Sequence, residues 1–258
     1  MTRFQRFSLL VFLLAVSCLT LQSCSTGGEP SYRGKKLSQW LLNSADAGEA
    51  EIAVRAMGTN AIPYLLRWLA DTDSNHNLHA PNGFAILGET AAPAIPQLEQ
   101  LLLGTNELAA TLAASALGRI GRPAAPVLIG ALTNANYRIS TDAALRLQDL
   151  GTNALPAIPI LLKQLESPRA KIRARATDTL GSMELEPATV VPALTRRLYD
   201  SSDPVRHLAV SALAEFGPAA KSAAPDLMML LPAPNYSESV SNALLEIAPE
   251  ALTNPPTQ

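Results

Sequence analysis

Apolar residues recur at fixed positions along most of the chain. Six times a proline is followed two positions later by leucine and four positions after that by a second leucine. The first copy is Pro63, Leu65 and Leu69, and the others begin at Pro96, Pro126, Pro159, Pro192 and Pro225. Leucines four apart lie on one face of an α-helix, and proline is tolerated in a helix's first turn. The phrase therefore predicts six short amphipathic helices spaced 30 or 33 residues apart.

A second apolar pattern keeps the same period. A small residue precedes a large apolar one by four positions at Ala53/Met57, Gly83/Leu87, Ala113/Leu117, Ala143/Leu147, Ala176/Leu180 and Ala209/Leu213. Glycines that we expect to end this first helix through positive φ follow at 58, 88, 121, 151, 181 and 217. Two patterns at one period indicate a copied helix pair. The predicted fold is an all-α solenoid, a superhelix of about six helix pairs over residues 45–250.

This pattern resembles the HEAT-like repeats of the phycobilisome-lyase type. The resemblance rests on the two apolar registers, the glycine between helices and the run Asp203-Pro204-Val205-Arg206, and it covers about residues 45–248. It implies a superhelix whose second helices line the concave side. Members of this group include protein scaffolds, lyase subunits and a few enzymes, so the resemblance specifies the fold more closely than the activity.

The first residues have the form of an export signal. Arg3 and Arg6 precede an uncharged apolar run over residues 7–21, which is short for a membrane span. The run ends in Leu21-Gln22-Ser23-Cys24, which resembles the lipobox of bacterial lipoproteins, although Gln22 departs from the usual pattern. We expect acylation at Cys24, with Cys18 as the competing site. A retained membrane anchor or an ordinary signal peptide is the alternative.

This interpretation divides the chain into five segments. They are a signal peptide at 1–23, a flexible tether at 24–36, a capping helix at 37–44, the solenoid at 45–250 and a disordered tail at 251–258. Acyl chains such as palmitate on Cys24 would anchor the protein in the cell envelope. The resemblance to lipoproteins associates Ser25, directly after that cysteine, with sorting to the outer membrane, so we expect the outer membrane or the periplasmic face. Each buried methylene contributes about 0.8 kcal/mol to such anchoring.

Composition and charge narrow the classes of partner. The chain is 48% hydrophobic and carries a net charge of −2. Removing residues 1–23 takes away two of the 20 basic residues and none of the 22 acidic ones, which leaves a net charge of −4. Nucleic-acid binding would require a strongly basic balance, so we expect no nucleic-acid partner. No cysteine follows Cys24, which excludes a disulfide framework in the solenoid.

Signatures of catalysis are sparse. Neither His-Glu-x-x-His nor Gly-x-Ser-x-Gly occurs in the sequence. The polar stretch at 71–79 carries Asp71, Asp73, His76 and His79, which could hold a divalent metal. A solvated loop between two helices is the favoured interpretation of that stretch. We therefore expect no enzymatic activity, no metal and no cofactor.

The second helices offer a candidate surface for a partner. The residue four positions after each repeat proline is Arg67, Gln100, Gly130, Lys163, Arg196 or Met229. Three of these are basic and none is acidic, and Tyr64 and Trp68 would form an aromatic end. A further run of Arg169, Lys171, Arg173 and Arg175 is predicted to divide between two helix faces. An ordinary solvated face without a ligand is the alternative.

The expected function is that of a lipid-anchored envelope scaffold. It would hold a protein or peptide on the concave face of the solenoid, with Arg67, Trp68, Gln100, Lys163 and Arg196 as contact residues. A lyase or lyase subunit, which the resemblance allows, is the first alternative. A metal-dependent enzyme that uses residues 71–79 is the second.

Overall fold

The computed structural model describes residues 28–43, 46–71 and 74–253. A short antiparallel hairpin, β1 (Ser31–Tyr32) and β2 (Lys35–Lys36), leads into helix α1 (Leu37–Asn43). Six helix pairs follow, and each pair consists of a first and a second helix. The first helices are α2 (Ala47–Met57), α4 (Ser74–Leu87), α6 (Glu107–Ile120), α8 (Tyr137–Gln148), α10 (Ala170–Met183) and α12 (Asp203–Glu215). The second helices are α3 (Ile62–Leu69), α5 (Ile95–Leu102), α7 (Ala125–Ala131), α9 (Ile158–Gln164), α11 (Pro187–Arg197) and α13 (Ala224–Leu230). Helices α14 (Ser237–Ile247) and α15 (Glu250–Thr253) end the stack.

Five of the six repeats join their two helices through a short 3-10 segment. These segments are Gly58–Ala61, Gly88–Ala94, Arg122–Ala124, Gly151–Ala157 and Gly217–Ala223. Positive φ occurs at the predicted glycines 58, 88, 121, 151 and 217, where an L-residue with a side chain would be strained. Prolines of the repeat phrase then occupy the first turn of the second helix, so they displace no helical hydrogen bond. The fifth repeat differs, because Pro192 lies inside α11.

Gly181 does not end a helix, contrary to the sequence prediction. Helix α10 continues to Met183, and the left-handed residues that follow are Glu184 and Glu186. A Cβ added at Gly181 would lie 2.5 Å from the Cβ of Ala212 on α12. Gly181 therefore lies where two first helices pack too closely for a methyl group.

The core follows the two apolar patterns. Both leucines of the repeat phrase are buried in every copy except the last, where Leu231 is partly exposed. First helices of successive repeats pack on one another through the small residues of the second pattern, including Ala113, Ala143 and Ala176. Full burial of a leucine contributes about 2 kcal/mol. The stack is thus one continuous core, in which each unit is stabilised by its neighbours.

The N-terminal hairpin covers the first end of the stack. It lies in the stretch that the sequence analysis assigned to the tether. Trp40 of α1 is buried, its indole N–H donates to the carbonyl of Tyr32 at 3.2 Å, and the Lys35 ammonium lies 4.5 Å from the ring centroid. A solenoid's terminal unit lacks a neighbour, so these contacts replace one.

Residues 74–79 are helical, which corrects the predicted loop over 71–79. Helix α4 begins at Ser74, and the buried Asn77 donates from Nδ2 to the carbonyl of Asp71 at 3.2 Å. His76 stacks on Trp68 with centroids 4.9 Å apart, so the polar stretch continues the core packing. Among the described residues no helix combines the length and apolar character needed to cross a bilayer.

Candidate functional site

The second helices expose one residue per repeat on a common surface, which we call the second-helix face. Its members are Arg67, Gln100, Gly130, Lys163, Arg196 and Met229, and all six are exposed. Each lies two positions from both leucines of its repeat phrase. Two residues correspond to a 200° rotation, so this position points away from the core in every copy. The phrase therefore places these residues at equivalent points of successive repeats.

The aromatic end of this face is built differently from the prediction. Trp68 is 8% exposed and belongs to the core, because it lies one position beyond the exposed point of its helix and packs against His76. It is therefore not available as a partner contact. Tyr64 is partly buried, and the guanidinium of Arg67 lies 4.2 Å from its ring centroid. Arg67 is thus held in place by a cation–π contact.

The C-terminal end of the face links two repeats through Tyr199. Its hydroxyl donates to Asp226 at 2.8 Å and lies 3.8 Å from the sulfur of Met229. Burial, together with this hydrogen bond, raises the pKa of Tyr199. Tyr199 and Met229 are 54% and 72% exposed, so this end offers apolar surface beside the basic Arg196.

A cavity of about 740 Å³ opens next to Lys163, between the fourth and fifth repeats. Its walls are the turn from α7 to α8, the turn from α9 to α10 and the first turns of α8 and α10. The basic side chains that line it are Lys163, Arg169, Lys171 and Arg175, and none of its described lining residues is acidic. We call this space the open junction.

Arg175 is the buried cation of the open junction. It is 8% exposed, its guanidinium carbon lies 5.1 Å from the ring centroid of Tyr137, and Nη1 donates to the hydroxyls of Ser140 at 2.8 Å and Thr141 at 3.2 Å. Its Nε is buried without a hydrogen-bond partner. Within the described part of the chain, Arg175 has no carboxylate partner. Burial lowers its pKa accordingly.

The next junction along the stack is closed by an ion pair. Arg173 donates from Nε and Nη2 to the two carboxylate oxygens of Asp200 at 2.8 and 2.6 Å, and from Nη1 to the carbonyl of Ser167 at 2.9 Å. Asp200 also accepts from the amide of Ser202 and lies 3.6 Å from Arg197. Hydrogen bonding to Arg173 lowers the pKa of Asp200 and raises that of Arg173. We call this arrangement the closed junction.

The two junctions occupy equivalent positions in the repeat. Arg173 and Asp200 are 27 residues apart, and one 33-residue repeat earlier the same two positions carry Ser140 and Ser167. Both serines line the open junction. Two short side chains in place of a bidentate ion pair therefore leave room for the larger cavity.

The four basic residues at 169–175 are grouped differently from the prediction of two helix faces. Arg169 precedes α10 as its N-cap, so the 100° rotation per residue does not apply to it. Arg169, Lys171 and Arg175 line one cavity, whereas Arg173 pairs with Asp200. Sequence reasoning therefore missed the open junction. Comparing residues 140 and 167 with 173 and 200 in register would have pointed to it.

The predicted metal ligands do not assemble in the described residues. Nδ1 of His76 lies 3.3 Å from Oδ2 of Asp71, but no group of three or more His, Cys, Asp or Glu side chains comes together there. Asp73 lies outside the described residues, as do the predicted lipid-attachment residue Cys24 and its competitor Cys18.

Solved structures to which the chain is similar include engineered and designed proteins. An engineered protein is 20% identical, with 72% of this chain and 95% of that chain covered and a TM-score of 0.48. A designed armadillo repeat protein in complex with the peptide (KR)4 is 17% identical, with 72% and 98% covered and a TM-score of 0.47. The complex of CpcE and CpcF of phycocyanin lyase from Nostoc sp. PCC7120 is 24% identical, with 60% and 98% covered and a TM-score of 0.49.

The family comparison agrees with the repeat pattern. No curated protein matches the sequence. Residues 158–248, which span α9 to α14, match the family model described as HEAT repeats. Helix pairs of the same design extend back to Ala47. The predicted HEAT-like resemblance is confirmed over residues 158–248, and the described helix pairs confirm the predicted all-α solenoid fold.

Proposed function

We propose that the second-helix face holds a protein or peptide partner and that Cys24 is acylated, so that the protein acts as a lipid-anchored envelope scaffold. The observation that carries the proposal is the exposure of one residue per repeat along this face, with basic side chains at Arg67, Lys163 and Arg196. Our proposal includes the concave position of this face. A row of equivalent points in successive repeats suits an extended chain, because each repeat can contact one segment of it.

The charges of the face favour an acidic partner. Arg67, Lys163 and Arg196 are exposed, and none of them forms an ion pair within the described residues. Long basic side chains in such positions steer association and select partners more than they add affinity. Exposed apolar surface at Tyr199 and Met229 would supply contact area at the C-terminal end.

Crosslinking in the native cells followed by mass spectrometry would identify the partner. We expect the triple variant Arg67→Glu, Lys163→Glu and Arg196→Glu to lose capture of that partner in a pull-down. The matched control reverses Arg55, Arg119 and Arg122, which are exposed and lie outside the second-helix face. Equal capture by the two triple variants would reject the assignment of the face.

The anchor is tested separately. Cys24→Ser should remove palmitate labelling, whereas Cys18→Ser should leave it unchanged. If Cys18→Ser alone abolishes labelling, the competing site is the modified one. Labelling that persists when Cys18 and Cys24 are both replaced by serine would refute lipid attachment at either cysteine.

A further inference from the structure

The open junction buries a positive charge without an internal anion. Arg175 is more than nine-tenths buried, and its hydrogen-bond partners are the neutral hydroxyls of Ser140 and Thr141. An ionised group removed from water costs several kcal/mol unless a charge of opposite sign accompanies it. The neighbouring Arg173 has such a partner in Asp200, and Arg175 has none among the described residues.

Three further cations surround the same cavity. Lys163, Arg169 and Lys171 are exposed at its rim, and none of them forms an ion pair within the described residues. Four like charges around one space repel each other, and low-dielectric walls strengthen that repulsion. An anion within the cavity would relieve the repulsion and satisfy the buried guanidinium.

The remaining walls are largely apolar. Leu132, Ile160 and Ile172 line the cavity together with the ring of Tyr137. Its volume of about 740 Å³ lies in the range of pockets for small organic ligands, which is about 300–1,000 Å³. A bare inorganic ion would leave most of this surface uncovered.

We propose that the open junction binds the oxyanion of an organic ligand, a carboxylate or a phosphate ester, with the apolar body of that ligand against Leu132, Ile160 and Tyr137. The planar guanidinium of Arg175 matches both oxyanions, and Lys163 and Lys171 neutralise the charge at the rim. The burial that lowers the pKa of Arg175 has the same origin, the missing counter-charge. This site does not depend on the proposed scaffold function.

Isothermal titration calorimetry on the full-length protein tests the proposal. The probes are phenyl phosphate and benzoate at constant ionic strength, with benzyl alcohol as the neutral analogue. We expect both anions to bind and benzyl alcohol not to bind. Arg175→Met should weaken binding by at least about tenfold, because a charged hydrogen bond is lost. Equal affinity in Arg175→Met and the unchanged protein would overturn the proposal.

Two further variants keep the test decisive if Arg175→Met does not fold. Arg169→Gln and Lys171→Gln change exposed side chains, so we expect them to fold normally and together to weaken binding several-fold. Arg119→Gln, an exposed arginine on α6, is the matched control and should bind as the unchanged protein does. An equal loss in the control would show that binding reflects the overall charge rather than this cavity, and would also overturn the proposal.

The oxyanion could belong to a free small molecule or to an acidic side chain of a protein. A hexapeptide with one glutamate between leucines, compared with its glutamine version, distinguishes the two sources. Preference for the glutamate peptide over benzoate and phenyl phosphate would assign the site to a protein ligand, and the reverse order would assign it to a free metabolite. Absence of binding by every anionic probe would refute the site.

Discussion

The open and closed junctions occupy equivalent positions in successive repeats but are built from different side chains. At the closed junction, Arg173 and Asp200 form a bidentate pair that joins helix α10 to the turn before α12. At the open junction, Ser140 and Ser167 replace them and leave a cavity of about 740 Å³. The space beside the closed junction is about 330 Å³. Two side chains thus change the junction while the helix pairs on either side keep the same design.

The difference shows which side chains the stacking of repeats requires and which can differ from one junction to the next. The buried leucines and the small residues of the first helices hold every junction together, so the helix pairs stack without the ion pair. Charged side chains at a junction can therefore take either of two arrangements. They can neutralise each other, as Arg173 and Asp200 do, or they can be left uncompensated, as Arg175 is. An uncompensated charge in a cavity is a property of binding sites.

The largest expected effect comes from breaking the closed junction. Asp200→Asn keeps the shape of the side chain but removes its charge, so Arg173 is left buried without an anion. We expect the free energy of unfolding to fall by about 3 kcal/mol, measured by urea denaturation. Asp149→Asn, at an exposed aspartate 3.8 Å from Arg146, is the control and should cost less than about 1 kcal/mol. Equal losses would mean that Asp200 contributes no more than a surface charge.

The close approach of helices α10 and α12, the first helices of the fifth and sixth repeats, gives the next effect. Gly181→Ala would place a methyl group 2.5 Å from the Cβ of Ala212, and the helices would have to separate. We expect a loss of about 2 kcal/mol in the free energy of unfolding. Gly130→Ala is the matched control, since a Cβ there meets nothing within 4 Å, and it should be neutral or slightly stabilising. A neutral Gly181→Ala would show that the two helices can move apart without cost.

The sequence predicts the repeat and its exposed points better than it predicts the junctions. The repeat phrase places Leu65 and its counterparts in the core and Arg67 and its counterparts on the surface, because helical phase depends on local spacing alone. The same spacing could also have placed Trp68 in the core, because it lies three positions after the buried Leu65. Gly181 could not be assigned in this way, because a glycine that ends a helix and one that allows close packing are alike in sequence.

The junctions depend on contacts between residues 27 to 35 positions apart. Positions 173 and 175 are both arginine and lie two residues apart. Arg173 pairs with Asp200, whereas Arg175 donates to the hydroxyls of Ser140 and Thr141. Only the stacking of one repeat on the next decides which arginine meets a carboxylate. The register comparison of 140 and 167 with 173 and 200 carries that information, whereas a single helical wheel does not.

Acid should weaken the closed junction and leave the open one unaffected. Arg173 holds the pKa of Asp200 below its ordinary value near 4, so the pair stabilises the fold above that value. This contribution is lost as the pH falls through the lower pKa of the folded state. We expect the difference in unfolding free energy between the unchanged protein and Asp200→Asn to be constant above about pH 5 and to shrink below pH 4. Ser167→Ala should show no such trend, and a constant Asp200→Asn difference down to pH 2 would contradict the assignment.

The smallest change in stability, and the sharpest test of the comparison, is to build the closed junction into the open one. Ser140→Arg with Ser167→Asp places the ion pair at the equivalent positions, narrows the cavity and introduces a carboxylate at its wall. We expect the free energy of unfolding to change by less than about 1 kcal/mol, because a buried ion pair roughly offsets its own desolvation. Stabilisation by benzoate or phenyl phosphate in a thermal melt should disappear. Ser222→Asp, which adds an exposed acid in the 3-10 segment before α13, should leave it intact. Persistent stabilisation of the double variant by either anion would show that the ligand binds elsewhere and that the two junctions do not differ in the way proposed.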